Sequence, residues 1–251
     1  MIAAIVLAAL GGLIIGSFLN VVAYRLPRGE SLAHPPSRCP SCGAPVKPYD
    51  NIPVLSWLLL RGRCRNCRAP ISARYPIVEA TTGVLWALVT WARWDDASGI
   101  ALGLVLVTAL IPIALIDFER RIIPNRITGP AAIAAILIGV VLDQDFVVEQ
   151  LIAGVAAGGF FLLALIAYPR GMGMGDVKLA GMMGLYLGRA VGLAVVVGLV
   201  AGVVVGAIII ARLGAREGRK TAVPFGPFLA LGGIVAIFAG DAVADWYTDR
   251  F

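Results

Sequence analysis

Eight apolar runs follow one another along the chain, at residues 2–24, 77–94, 100–116, 127–142, 147–168, 177–188, 190–211 and 222–240. A helix that crosses a bilayer needs about 20 such residues, within a range of roughly 17–25. Most of the runs reach or approach that length, so the expected fold is an all-α polytopic membrane protein with about eight transmembrane helices. The charge content agrees: 14% of the 251 residues are charged, against roughly 25% in soluble domains. The sixth run is short and rich in glycine, and is expected to be tilted, partly re-entrant or buried by its neighbours.

Charge orients the crossings. The loop 25–75 holds nine basic residues, Arg25, Arg28, Arg38, Lys47, Arg61, Arg63, Arg65, Arg68 and Arg74. With that loop in the cytoplasm, segments 118–126, 169–178 and 212–220 fall on the same side, which places 18 of the 21 Lys and Arg inside. The other side collects Asp95, Asp96, Asp143, Asp145, Glu149, Asp241, Asp245 and Asp249. This asymmetry is what the positive-inside rule describes, and both termini are then expected outside. The net charge of +6 is accounted for by topology and anionic membrane lipid, and nucleic acid is not needed to explain it. Residues 1–24 lack a basic leading region and a small-residue cleavage site, so they are expected to stay as a first transmembrane helix. Gly12 and Gly16 form a small-xxx-small pair suited to helix packing, and Ser17 and Asn20 are expected to hydrogen-bond to neighbouring helices.

All four cysteines lie in the polar loop 25–75, as CPSC (Cys39, Cys42) and CRNC (Cys64, Cys67). Two turns with a two-residue gap each present a thiolate pair, and four soft ligands close a tetrahedron around Zn2+. Two disulfides are the other reading, disfavoured in a reducing cytoplasm. Four thiolates leave no open position for water, so the expected role is structural, and a small loop without a large core draws folding free energy from such a metal. His34, the only histidine, belongs to neither pair and reads as a solvated loop residue. No Ser–His or Cys–His nucleophile pairing is favoured.

Two aspartates border apolar runs on the inner side: Asp117 at the end of the third run, in ALIDFERRIIPN, and Asp176 at the start of the sixth, in GMGMGDVKLAG. An ionised residue in a membrane segment needs a partner, a wet cavity or the membrane boundary. Two carboxylates at one depth, from separate helices, are what an aspartic peptidase requires: one ionised to draw a proton from water, one protonated to polarise the scissile carbonyl. Asp176 opens a helix and Asp117 closes one, so the helix dipoles favour Asp176 as the base and Asp117 as the protonated partner. Gly171, Gly173 and Gly175 allow backbone to approach backbone at an unwound helix entry. The residues alone leave a structural reading equally open, with Asp117 pairing Arg120 or Arg121 and Asp176 capping its helix.

GMGMGDVKL resembles the G-x-G-D motif of intramembrane aspartic peptidases, and DFERRIIPN is similar to the companion aspartate motif of the bacterial prepilin peptidases. GSFLNVVAYRLPRG (16–29), the paired C-x2-C turns, RYPIVEA (74–80) and PFGPFLA (224–230) fit the same family of prepilin leader peptidases and N-methyltransferases, in order along nearly the whole chain. The resemblance implies cleavage of prepilins and type II secretion pseudopilins at the cytoplasmic face of a bacterial inner membrane, with Asp117 and Asp176 catalytic. It further implies methylation of the new N-terminus by S-adenosylmethionine. No G-x-G-x-x-G cradle for that donor is present. Glu79, at the inner end of the second run, is a candidate to contact it, with Arg74 pairing as the alternative.

The expected division is 1–24 as first helix, 25–75 as the zinc loop with a methyltransferase part, and 76–251 as the peptidase domain. Two other function classes compete. In a proton-coupled transporter the aspartates would serve a water path, but both lie near one face and no run carries a second mid-membrane acid. A non-enzymatic membrane scaffold displaying a zinc knuckle would keep its function without either aspartate.

Overall fold

The computed structural model describes residues 1–169, 172–218 and 223–250. Gly171 of the glycine-rich entry, and Arg170, Arg219 and Lys220 of the expected inner segments, lie outside the described residues. Nine α-helices are present among the described residues: α1 Ile2–Arg25, α2 Leu55–Leu59, α3 Arg74–Ala92, α4 Ala97–Arg120, α5 Asn125–Leu142, α6 Phe146–Ala167, α7 Met174–Leu187, α8 Val191–Gly218 and α9 Gly226–Thr248. Each of the eight apolar runs centres on a helix of its own, and α2 is a single turn inside the polar loop. The chain is an all-α polytopic protein. Among the described residues, six stretches are long and apolar enough to cross a membrane: Ile2–Arg28, Ala97–Arg120, Asn125–Leu142, Phe146–Ala167, Met174–Gly214 and Gly226–Thr248. The count falls below eight for two physical reasons. Helices α7 and α8 join through a 3-10 turn, Gly188–Ala190, into one stretch, and α3 carries Arg74, Glu79 and three threonines among its 19 residues.

The chain divides into two compact units, Met1–Trp94 and Asp95–Phe251. In the first, α1 and α3 pack antiparallel with the polar loop between them. Built Cβ atoms show the register: one on Gly12 would meet the Gly83 Cα at 2.8 Å, and one on Gly16 would meet the Glu79 Cα at 2.8 Å. Asn20 Nδ2 completes it, donating to the Tyr75 carbonyl at 3.2 Å. Each four-residue step along α1 matches a four-residue step back along α3, so the contact runs on one i, i+4 ridge. Without a hydrophobic drive between helices in lipid, such close backbone contact is what holds a pair together.

The second unit repeats this device. Helix α6 meets α7 where a Cβ on Gly184 would lie 2.5 Å from the Ala153 carbonyl, and α8 meets α9 where one on Gly232 would run into the Ala194 carbonyl. Helix α7 has 14 residues, about 21 Å at 1.5 Å per residue, short of the roughly 30 Å hydrocarbon core. Its neighbours α4, α5, α6, α8 and α9 enclose it, and Leu179, Ala180 and Met183 have no exposed surface. Burial by neighbours, one of the expectations for the sixth run, is realised.

Gly12→Ala places a methyl against backbone that cannot yield, so unfolding in detergent should become easier by about 1–3 kcal/mol. Gly159, whose Cβ would meet open space, serves as the control; its change to Ala should be neutral or stabilise by about 0.5–1 kcal/mol. Equal melting losses in the two variants would count against the packing account.

Candidate active site and metal centre

Asp117 lies in the last turn of α4, before Arg121 turns the chain in a left-handed cap, φ 56°. It is 5% exposed. Its Oδ2 accepts a hydrogen bond from the Gly226 N–H at 2.9 Å. Gly226 is the first residue of α9, where backbone N–H groups have no partner within the helix. A carboxylate at that end satisfies the amide and meets the positive end of the helix dipole. The approach is close: a Cβ at position 226 would lie 2.7 Å from Asp117 Oδ2. The PFGPFLA stretch thus has a physical role that sequence reasoning did not assign, since nothing local in it points to a carboxylate 109 residues away.

Asp176 is the third residue of α7 and is 9% exposed. Its Oδ2 accepts from the Gly173 N–H at 3.1 Å, so it does cap its own helix. Gly173 has φ −99°, which any residue adopts. Gly175 is the glycine that space requires, its Cβ position lying 3.0 Å from that of Ile123. Helix α4 packs against α7, and both aspartates are buried within one compact unit. Both now stand at helix N-termini, Asp117 at that of α9 and Asp176 at that of α7. The expected asymmetry of helix dipoles, with Asp117 only at a C-terminus, is therefore lost, because a helix remote in sequence supplies the missing positive end. Asp117 takes its bond from backbone rather than from Arg120 or Arg121. In both residues Oδ2 accepts from a backbone N–H. Beside the pair, Lys178 Nζ donates to Asn125 Oδ1 at 3.0 Å, tying the first turns of α7 and α5.

The four cysteines converge, with their Sγ atoms all within 4.8 Å of one another. They are free thiols rather than disulfides. Cys39 and Cys67 Sγ stand 3.7 Å apart, and a tetrahedron with Zn–S bonds of roughly 2.3 Å has edges of about 3.8 Å. The donor set therefore fits a closed structural zinc site. The two arms are copies. RCPSCGAP (38–45) and RCRNCRAP (63–70) each close with an antiparallel bridge, Arg38 to Pro45 and Arg63 to Pro70. In both, the first cysteine N–H donates to the alanine carbonyl, at 2.9 Å from Cys39 to Ala44 and 2.8 Å from Cys64 to Ala69. The residue after the second cysteine is left-handed in both, Gly43 at φ 71° and Arg68 at φ 62°. The N–H groups of Cys42 and Ser41 draw the Cys39 thiol down to about 6, ready to bind as thiolate. Arg65 grips Asp50 with Nε at 2.9 Å and Nη2 at 2.6 Å, anchoring the second arm to the 3-10 turn Pro48–Asp50. His34 is exposed and outside the cluster.

Glu79 is 7% exposed. Its Oε2 accepts from the Val54 N–H at 2.7 Å. Val54 has φ 61° and ψ −52°, and the Leu55 N–H bonds back to the Pro53 carbonyl at 2.6 Å. This is a γ-turn of the rare, strained kind, centred on a β-branched residue, and such strain costs on the order of 1–3 kcal/mol. Glu79 thus holds a strained turn of the loop against α3.

The fold and site define a class: a polytopic helical membrane protein with a buried carboxylate pair in G-x-G-D context and a four-cysteine knuckle between its first two long helices. Comparison with known proteins agrees. Residues 10–93 match the bacterial peptidase A24 N-terminal domain, and residues 104–211 match the type IV leader peptidase family. A prepilin leader peptidase/N-methyltransferase of Aeromonas hydrophila is 34% identical, the match covering 98% of this chain and 94% of that protein. The type 4 prepilin-like proteins leader peptide-processing enzyme of Escherichia coli is 36% identical, with 93% of each chain covered. A prepilin leader peptidase/N-methyltransferase of Myxococcus xanthus is 41% identical over 70% of this chain and 54% of its own length. No solved structure matches. The chain belongs to the type IV leader peptidase family.

Purified protein should hold about one zinc per chain, lost when Cys39 and Cys42 are changed to Ser. Elemental analysis that finds full zinc in the double variant would overturn the assignment.

Proposed function

We propose that this protein removes the leader of prepilins and pseudopilins at the cytoplasmic face of a bacterial inner membrane and then N-methylates the new N-terminus. The observation that carries the peptidase half is the buried pair, Asp117 and Asp176, each steadied through Oδ2 by a backbone N–H of a helix N-terminus. One carboxylate, ionised, takes a proton from a water as that water attacks the scissile carbonyl. The other, protonated, donates to the carbonyl oxygen, and a proton then passes to the departing amine. A close pair titrates jointly, so which aspartate is base is a property of the dyad. Gly226 is a positioning residue, setting the Asp117 carboxylate from the end of α9.

The charge distribution supports an orientation with loop 25–75 and the aspartates on the cytoplasmic side. The resemblance supports S-adenosylmethionine as methyl donor, with the zinc loop taking part by position. Glu79 is the candidate to contact the donor, while its Oε2 holds the loop through the Val54 N–H. A transporter reading gains nothing from the site, since both carboxylates are held at helix ends near one depth. A scaffold does not need a buried acid pair.

The test is to incubate the solubilised protein with a prepilin and resolve the product by mass, which separates leader loss from added methyl. Asp117→Asn and Asp176→Asn should each abolish cleavage while the protein still accumulates in the membrane. Wild-type-like cleavage by either variant would falsify the dyad. Gly226→Ala pushes a methyl at Asp117 Oδ2 and should lower the cleavage rate roughly 10²-fold, the scale expected for a misplacement of about 1 Å. An unchanged rate would remove Gly226 from the site.

A further inference from the structure

We infer that α2 is a foot that rests in the lipid interface, holding the metal-binding loop flat against the membrane surface from which it emerges. Leu55, Leu58 and Leu59 stand at i, i+3 and i+4 of one turn and so share a face. That face is open: they are 49%, 58% and 74% exposed, and neighbouring Ile52 is 47% exposed. The opposite side of the same turn faces the loop. Ser56 is buried and donates to the Tyr49 carbonyl at 2.9 Å, and Trp57 Nε1 donates to the Ile71 carbonyl at 3.0 Å. A leucine face on an otherwise polar, cationic loop has no business in water, and a cluster of this kind marks a contact surface.

Three observations make lipid the occupant. The first is depth. Glu79 is the sixth residue of α3, about 7 Å along the helix from its first residue, and its side chain leans back toward that start. The Val54 N–H, 2.7 Å from its carboxylate, is therefore level with the first turns of α3 rather than beyond the helix end. Helix α2 begins at the next residue, Leu55. The second is the strained γ-turn at Val54. A relaxed turn would let the chain leave α3, whereas the Glu79 bond draws the start of α2 alongside it. The third is charge. Residues 25–75 carry nine Lys and Arg against two acids, Glu30 and Asp50. Arg61 and Arg63 follow the leucine face directly, as in segments that bury an apolar stripe among acyl chains and hold anionic headgroups with the flanking cations. Neither aspartate is involved, so this inference stands apart from the peptidase reading.

The test uses the full-length protein in vesicles of phosphatidylglycerol and phosphatidylethanolamine. Leu59→p-benzoylphenylalanine places a photoreactive group on the exposed face, and Ser37→p-benzoylphenylalanine places one on the metal-binding arm as a reference. After irradiation, mass spectrometry should find a phospholipid adduct at position 59 and none at position 37. Replacing phosphatidylglycerol with phosphatidylcholine should lower the yield at 59. A cross-link from 59 to residues 95–251, a cross-link to a second chain, or no adduct would each overturn the proposal. Equal yield in the two lipids would overturn the part given to Arg61 and Arg63. Melting curves matched to the unsubstituted protein show that the label has not unfolded the loop.

Discussion

A carboxylate inside a bundle of apolar helices must be met by donors, and here the donors are backbone amides that the helices leave unpaired at their ends. The bond from Gly226 N–H to Asp117 joins the end of α4 to the start of α9. The bond from Gly173 N–H to Asp176 closes the start of α7. These two contacts fix where three helices end, and so fix the depth of the site. In the proposed reaction the two aspartates share a proton as general acid and base. An amide steadies a carboxylate without removing that freedom.

The short central helix follows from the same requirement. A full-length α7 would carry its first turn to the bilayer edge. With 14 residues and five surrounding helices, α7 sets Asp176 within the packed interior of its unit, beside α4. The cost of enclosing a helix on all sides is met by glycine and alanine at the contacts, as where Gly184 lies against the Ala153 carbonyl. Membrane bundles gain cohesion from such close backbone contact, so the residues that make the fold cohere also make room for the site.

What could be read from the sequence divides along range. Apolar periodicity located the eight long helices because each is a local property of its segment. The paired cysteines and their gathering were legible for the same reason: a two-residue gap makes a turn, and four thiolates at such spacing have few other uses. The count of spanning stretches was less legible, because polar residues in α3 and the continuous passage from α7 into α8 are matters of degree. Two long-range contacts were not legible. The Glu79 Oε2 accepts from the Val54 N–H, 25 residues earlier. Asp117 looked like a residue at the wrong end of a helix, until α9 supplied the opposite pole from 109 residues away.

The repeat in the loop shows how the same geometry was reached twice with different means. RCPSCGAP and RCRNCRAP agree in bridge, in the cysteine-to-alanine bond and in the left-handed residue that follows the second thiol. Glycine adopts that conformation at Gly43 without strain, whereas Arg68 adopts it with a Cβ, at a cost. Arg65, in the second arm only, adds the grip on Asp50, and that exposed pair holds the Asp50 carboxyl below the usual carboxylate range. The cationic arm thus combines a less favourable backbone with a side-chain anchor to the 3-10 turn Pro48–Asp50 that leads toward Val54. The strained turn at Val54, the grip on Asp50 and the four-cysteine cluster tie the loop at successive points, and the Glu79 bond to Val54 ties it to α3. A loop of this length with little core of its own has one route to a single conformation, which is to be tied at several points at once.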